Sequence, residues 1–374
     1  MIQTINRAPN DEFTYSLFRN LVEAIPYDYE AYYMWTGKLD AFKKFIINTT
    51  FIKPNIVIGI KDLLDMSNDY DYWGQKYQNG VELIIECARN NLDKNFIIFT
   101  SLENLSAEID QPNIQLVPWG GDITNQAILY PTVTPALDKN FNSKKHFISL
   151  NRHNRAHRVI LLSYLFGQGY NLSGDISYLK QQPTEELLDH ISWQFEPRHQ
   201  AAQVAMNKGY QKLKQHSNLN VDGYNIYPAP NDHVSNFNDK LHARYLNTFV
   251  EIIAESSFSA PSYLITEKFL NSVYGCNFPI LLSGVGAVEH LTGIGFDMFD
   301  DIVDHSYNQI TNPIDRIIAA IENNKRLLVD SDYAKQLWSA NQSRFKNNVD
   351  IAKGQMYTWY QTRAISKFNA VKWN

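Results

Sequence analysis

Short apolar runs of strand length, separated by stretches patterned as helices, constrain this chain more than any other feature. Asn55–Ile60 (NIVIGI), Asn95–Thr100 (NFIIFT) and Ile114–Pro118 (IQLVP) lie in the first third. His146–Leu150 (HFISL), Asp175–Leu179, Phe249–Ala254 (FVEIIA) and Phe278–Leu282 (FPILL) lie beyond it. Runs that are largely apolar, without strict alternation, belong to strands covered on both faces. Helical patterns fall between them: Leu17, Phe18, Leu21, Val22 and Ile25 up to Pro26; Val81–Cys87; Asn154 to Phe166, with Gly167 and Gly169 beyond; and Ile265 to Tyr274, with Gly275 as a C-terminal stop. Strand and helix in alternation predict an α/β fold with parallel sheets.

Pro131, Pro135 and the polar stretch Asp138–Lys145 interrupt the alternation and read as a linker. The chain then divides into a first half over 1–140, a second over 146–345 and a terminal helix over 346–374, expected to cross back to the first half. Polar residues and Pro197, Pro228 and Pro230 mark Gln194 to Tyr245 as a helical insertion with loops. A length of 374 residues suits two domains, at roughly 100–200 residues each.

Composition enters by exclusion. The formal net charge is −5, which argues against a broad nonspecific nucleic-acid surface, since that rests on an excess of Lys and Arg. A local basic groove stays open, with Lys38, Lys43, Lys44, Lys53 and Lys61 as its material. Cys87 and Cys276 lack CxxC spacing and read as inert core residues in a reducing compartment. The N-terminus has no apolar leader core, and no apolar stretch approaches the ~18–20 residues of a membrane span. The expectation is a cytoplasmic protein without a membrane span.

Two places set cations where a helix begins. Asn151-Arg152-His153-Asn154-Arg155-Ala156-His157-Arg158 follows a strand directly, and Tyr263-Leu264-Ile265-Thr266-Glu267-Lys268 repeats the arrangement. Helix starts carry unsatisfied N–H groups and partial positive charge, so each cation there is unfavourable by a few tenths of a kcal/mol unless an anion offsets it. A phosphate would do so, through the N–H groups and the guanidinium forks together. Two such starts after parallel strands point to a phosphorylated ligand at the strand C-terminal edge.

The same residues resemble a known pattern. Phe249–Ala254 followed by Glu255-Ser256-Ser257, then Tyr263-Leu-Ile-Thr266-Glu267-Lys268, then Phe278-Pro279-Ile-Leu-Leu-Ser-Gly284, is similar to the donor-binding signature of the fucosyltransferase-like family. His146–Arg158 and Gly295–Tyr307 resemble segments of glycosyltransferases from bacterial viruses. The likeness covers roughly 146–330 and implies a GT-B fold, two facing Rossmann-like domains with the substrates between them. It implies that Lys268 contacts the donor diphosphate, Glu267 the ribose, Arg155 or Arg158 the phosphates, and that Glu255 lines the sugar pocket. Asn151, Arg152, His157, Ser256 and Thr266 complete the implied donor site. Ser256 stands where the family carries Asn, and the spacing from Glu255 to Thr266 is longer, so the sugar stays open.

The function expected on this reading is glycosyl transfer from a nucleotide-diphosphate sugar to a hydroxyl acceptor. Lys268 and Arg155 would stabilise the leaving group without a metal or other cofactor. Asp122, after a glycine pair, and Asp62, after the first strand run, are the candidate bases. Asp69-Tyr70-Asp71 matches the acidic pair of metal-dependent transferases only weakly, and Asp300, Asp301 and Asp304 read as surface or capping acids. Tyr27, Tyr29, Tyr32, Tyr33 and Trp35 offer either stacking surfaces or core. The acceptor is open between a glycan and a hydroxymethylated pyrimidine in DNA. A sugar-nucleotide epimerase and a noncatalytic sugar-nucleotide-binding protein are the rival readings.

Overall fold

Both sheets are parallel throughout, as the unbroken apolar runs require. The computed structural model describes residues 2–6, 12–36, 39–62, 80–104, 109–120, 132–151, 155–178, 196–215, 237–255, 258 and 263–373. The first sheet has the order β1 (Ile2–Asn6), β2 (Tyr29–Thr36), β3 (Asn55–Asp62), β4 (Asn95–Thr100) and β5 (Ile114–Pro118). The second contains β6 (Phe147–Asn151), β7 (Gly174–Tyr178), β8 (Val250–Ala254) and β9 (Phe278–Leu282), in the order β7-β6-β8-β9. The molecule is therefore α/β, with two Rossmann-like parallel sheets. No helix among the described residues is long and apolar enough to cross a membrane.

β1 and β2 have no counterpart in the sequence reading. The tyrosine-rich run is β2, and the two-residue period of a strand sends its neighbours to opposite faces. Tyr32 packs with Met34, Phe51 and Ile58 on one side, while Tyr33 packs with Phe18, Val57, Phe99 and Trp119 on the other. For these two residues the core reading holds. Tyr27 is exposed and stacks on Trp373, with ring centroids 5.6 Å apart.

In the first half, α1 (Glu12–Glu23) covers one face of the sheet, and α2 (Leu39–Asn48) and α3 (Gly80–Arg89) cover the other. In the second, α4 (Ala156–Gln168) packs against α5 (Gln200–Gln215), the helix of the insertion. Then come α6 (Glu267–Gly275) after β8 and α7 (Ala287–Ile294) after β9. A helical tail follows: α8 (Pro313–Asn323), α9 (Lys325–Val329), α10 (Ser331–Ala340), α11 (Gln342–Asp350) and α12 (Met356–Asn369). Gly275 is not the stop of α6: Cys276 takes the left-handed conformation, at φ 51°. The glycine is needed for space, since a Cβ there would lie 2.2 Å from the ring of Tyr245.

The stretch read as a linker is bound into the second half. Val133 and Ala136 are buried in its core, and Ala136 N–H donates to Tyr274 O at 2.8 Å. The buried ammonium of Lys139 donates to Tyr245 O at 2.7 Å, Gly275 O at 2.5 Å and Asn277 Oδ1 at 2.7 Å, so each of its three protons has an acceptor. At the other end of the chain, Ala364 and Phe368 of α12 are buried against Phe18, Phe99 and Trp119 of the first half. Asn95 and Gln115 side-chain amides each donate to Lys372 O at 2.7 Å. Gly120 makes this docking possible: its φ is +61°, and a Cβ would stand 2.2 Å from the ring of Tyr360.

Two outcomes follow. Gly120→Ala combines a left-handed backbone with overlap on Tyr360, and should lower stability by roughly 1–3 kcal/mol in a denaturant melt. An unchanged midpoint would mean that α12 docks elsewhere. Glu251, buried on β8, accepts from Tyr245 Oη at 2.9 Å, and burial pushes its carboxyl from the ordinary carboxylate range up to about 8. The folded chain then holds a proton that the unfolded chain has released across that window, so this group's contribution to stability falls as pH rises through it. Glu251→Gln removes the effect, and melting should show the variant gaining on the parent from pH 5 to pH 8.5.

Candidate functional site

The second sheet has a topological switch point between β6 and β8. From β6 the chain moves to β7 on one side, and it returns at β8 on the other. Ligands of such sheets bind in the crevice beyond the strand C-termini at that point. β6 and β8 are in register only at Phe147–Val250 and Ile148–Glu251, and further on the ladder is not continued. Asn151 ends β6, Glu255 follows β8, and α4 and α6 both begin here. The structure thus gathers Asn151, Arg155, His157, Arg158, Glu255, Thr266, Glu267 and Lys268 at one strand edge. Arg152, Ser256, Asp122 and the pair Asp69 and Asp71 lie outside the described residues, as does the side chain of Asp62, whose backbone closes β3.

Contacts at this edge differ from those expected. Arg158 is buried, and its Nη2 donates to Ala254 O at 3.0 Å and Glu255 O at 3.3 Å. It fills the gap where β6 and β8 part, giving strand-end carbonyls the donors that a neighbouring strand would have supplied. His157 is also buried, with Nε2 2.9 Å from Glu255 O and its ring stacked on Phe258 at 5.1 Å. Burial, reinforced by Arg158 and Arg155, drives its pKa well down and keeps it neutral. Both side chains thus meet strand-end carbonyls, a structural role that the expectation did not include. Arg155 occupies the cap position of α4 without a side-chain capping bond.

At α6 the anion expected at a helix start belongs to the chain itself. Glu255, fully buried, accepts from Thr266 N at 3.0 Å and Thr266 Oγ1 at 2.6 Å. Burial raises its pKa, while Lys268 and the Thr266 bonds oppose the rise. Lys268 Nζ donates to Thr266 Oγ1 at 2.9 Å and Glu267 Oε1 at 3.3 Å, and lies 3.7 Å from Glu255 Oε2. Glu255 is therefore a capping carboxylate rather than an open pocket wall. Lys268 keeps 18% exposure. Asn151 Nδ2 donates to Ser149 Oγ at 2.9 Å, and Asn151 Oδ1 is a buried acceptor with no partner among the described residues.

A second cluster, which the sequence reading missed, lies where the halves meet. Beyond β4, Thr100 Oγ1 accepts from Leu102 N at 3.1 Å, and Asn104 turns the chain with φ 56°. This sets Glu103 in an antiparallel bridge with Tyr263, through Glu103 N to Tyr263 O at 2.8 Å and Tyr263 N to Glu103 O at 3.1 Å. Arg363 of α12 donates to Glu103 Oε2, and His290 Nε2 stands 3.9 Å from Oε1. Burial raises the pKa of Glu103 against the pull of Arg363, and burial pushes His290 down to about 3. The cluster opens on a cleft of about 460 Å³ lined by Thr100, Glu103 and Pro118 of the first half and by Gly286, Arg363 and Lys367. An acid three residues beyond a parallel strand is the signal that could have pointed to Glu103.

The remaining acids have structural roles. Asp301 and Asp297 clamp Arg344, with Nη2 2.8 Å from an oxygen of each, and Asp304 Oδ1 accepts from Ser306 N at 2.9 Å. Asp300 is exposed. Both cysteines are buried, and burial raises each thiol to about 11. Comparison with protein-family models, curated proteins and solved structures gave no match to this chain.

Arg158→Met should be a stability variant. It takes the Arg158 donor from Ala254 O, at roughly 1–3 kcal/mol, while Glu255 O keeps its contact with His157. Chemical denaturation reads this directly, and a variant as stable as the parent would return Arg158 to the list of ligand contacts.

Proposed function

We propose that this chain is a nucleotide-sugar-dependent glycosyltransferase of GT-B arrangement, with the donor held by the second half. One observation carries the reading. The C-terminal ends of β4 and β5 and the start of α7 border a single cleft, so a ligand between the halves meets the strand ends of one sheet and a crossover of the other. The likeness of Glu255 and Thr266-Glu267-Lys268 to a donor signature supports the same side for the nucleotide.

The starts of α7, which borders the cleft, and of α6, which follows Tyr263 of its lining, supply the electrostatics. β8 and β9 are neighbouring strands, so α6 and α7 begin side by side. α7 starts at Gly286, at φ 89°, with no side-chain cap, and the ring of Tyr263 lies 3.9 Å from where its Cβ would be. A diphosphate laid across the two starts meets the α7 start, which has no side-chain cap, and the ammonium of Lys268 at the Thr266-capped start of α6. As the bond from the anomeric carbon to the phosphate oxygen breaks, charge grows on the departing diphosphate. Lys268 then exchanges its Glu267 contact for a stronger anion.

The test is release of nucleoside diphosphate from a panel of UDP-, GDP- and dTDP-sugars, with and without acceptors. Transfer gives release that an acceptor stimulates. A changed sugar without diphosphate release would instead mean an epimerase, and binding without turnover a noncatalytic protein. Lys268→Ala should cut turnover at least ~100-fold, the scale of one lost oxyanion-site donor. An unchanged rate removes Lys268 from the mechanism.

A further inference from the structure

The cleft at the seam and a groove on α12 meet at Arg363, and together they have the chemistry of a carbohydrate site. Glu103 is 2% exposed in the cleft wall, and its Oε1 has no hydrogen-bond partner among the described residues. A buried carboxylate oxygen without a donor among the described residues is open to an O–H or N–H from a bound molecule. His290 stops 3.9 Å short of it and is committed to Tyr360 Oη at 2.8 Å. The groove, of about 610 Å³, is bordered by Gln355, Thr358, Trp359, Thr362 and Ser366. Trp359 is half-buried there, and the Arg363 guanidinium lies 5.1 Å from its ring centroid.

We infer that Glu103 is the base that takes the proton of an acceptor hydroxyl, and that the groove beside it, with Trp359 as its platform, holds that acceptor as a neutral carbohydrate. The inference rests on the transferase reading above. Chain geometry keeps the two ends of the reaction together: Tyr263 bridges Glu103, and Thr266, the cap of α6, is three residues further on, a span of at most about 11 Å. The step balances. The acceptor oxygen bonds to the anomeric carbon, the bond from that carbon to phosphate breaks with its electron pair on the leaving diphosphate, and the hydroxyl proton passes to Glu103 and then to water. Attack from the side opposite the leaving group inverts the anomeric centre.

The lining decides the class of acceptor. The groove presents mainly apolar surface, the Trp359 indole and side-chain carbons, with amide and hydroxyl groups of Gln355, Thr358, Thr362 and Ser366 around it. This suits a molecule with apolar ring faces bordered by hydroxyls. A nucleic-acid backbone calls for ranks of Lys and Arg. The described cations at this place are Arg363, already paired with Glu103, and Lys367.

The experiment measures diphosphate release by the full chain with the sugar-nucleotide panel, adding a library of neutral oligosaccharides or a duplex containing hydroxymethylated cytosine. Oligosaccharides should stimulate release and the duplex should not. Glu103→Gln, which keeps the shape and a contact to Arg363, should lower kcat at least ~100-fold with little change in acceptor KM. Trp359→Ala should raise acceptor KM about tenfold with kcat nearly kept, and Trp359→Tyr should restore much of it. The Trp359 pair stays informative if the Glu103 variant fails to fold. Stimulation by the duplex alone, stimulation by neither, or oligosaccharide KM values indifferent to Trp359 overturn the inference while leaving the transferase intact. Absence of release with every donor and acceptor instead fails the transferase reading itself.

Discussion

The turn from Tyr263 to Thr266 is the constraint on which the cleft depends. Its first residue is bonded through the backbone to Glu103 of the first half, and its second, Leu264, is buried in the first-half core. Its last, Thr266, is bonded through both backbone and hydroxyl to Glu255 at the end of β8. Four residues thus hold the strand ends of one sheet against the helix starts of the other. α12 repeats the connection from the far side, with Arg363 on Glu103 and Phe368 in the first-half core. Two separate links of this kind fix distance and orientation together, which a single linker could not.

Buried arginines shape what is left open. Arg158 and Arg316 are both buried, and their described partners are backbone carbonyls. Arg316 joins Phe258 O, at 2.8 Å, to Ser283 O, at 2.6 Å, and its guanidinium lies over the Phe258 ring. Phe258 is therefore held between Arg316 and His157. Carbonyls at strand ends lack ladder partners, and a planar guanidinium with five donors serves several of them at once. Between β6 and β8 the Arg158 guanidinium lies against the strand-end carbonyls, and a cleft opens at the seam.

Much of the fold was legible in the sequence because apolar runs report burial directly. β4, β5 and β9 begin and end where the runs do, and β3 extends its run by two residues. β2 was not legible, since Glu30 and four aromatic residues break the aliphatic pattern. The acid is accounted for by contacts distant in sequence: Glu30 Oε1 accepts from Ile52 N and from Lys53 N at 2.6 Å, tying β2 to the approach of β3. The linker was misjudged for a similar reason. Lys139 looks solvated in a polar stretch, yet its acceptors come from residues more than a hundred positions away.

The same asymmetry governs the site. A cation at a helix start marks a ligand only if the chain supplies no anion of its own, and sequence shows the cation but not the compensation. Glu255 stands well before Lys268 in the sequence and within 3.7 Å of it in space. Charge balance at a helix start is therefore a weak guide, because a folded chain has many ways to achieve it. An unmet hydrogen-bond demand is stronger, because burial has already removed water as the alternative partner. Glu103 Oε1 is such a demand, and it lies in a cleft that both halves build. Lys268, by contrast, already has Thr266, Glu267 and Glu255 around its ammonium. On the proposed reading, the hydroxyl of an acceptor is the group that meets the demand at Glu103.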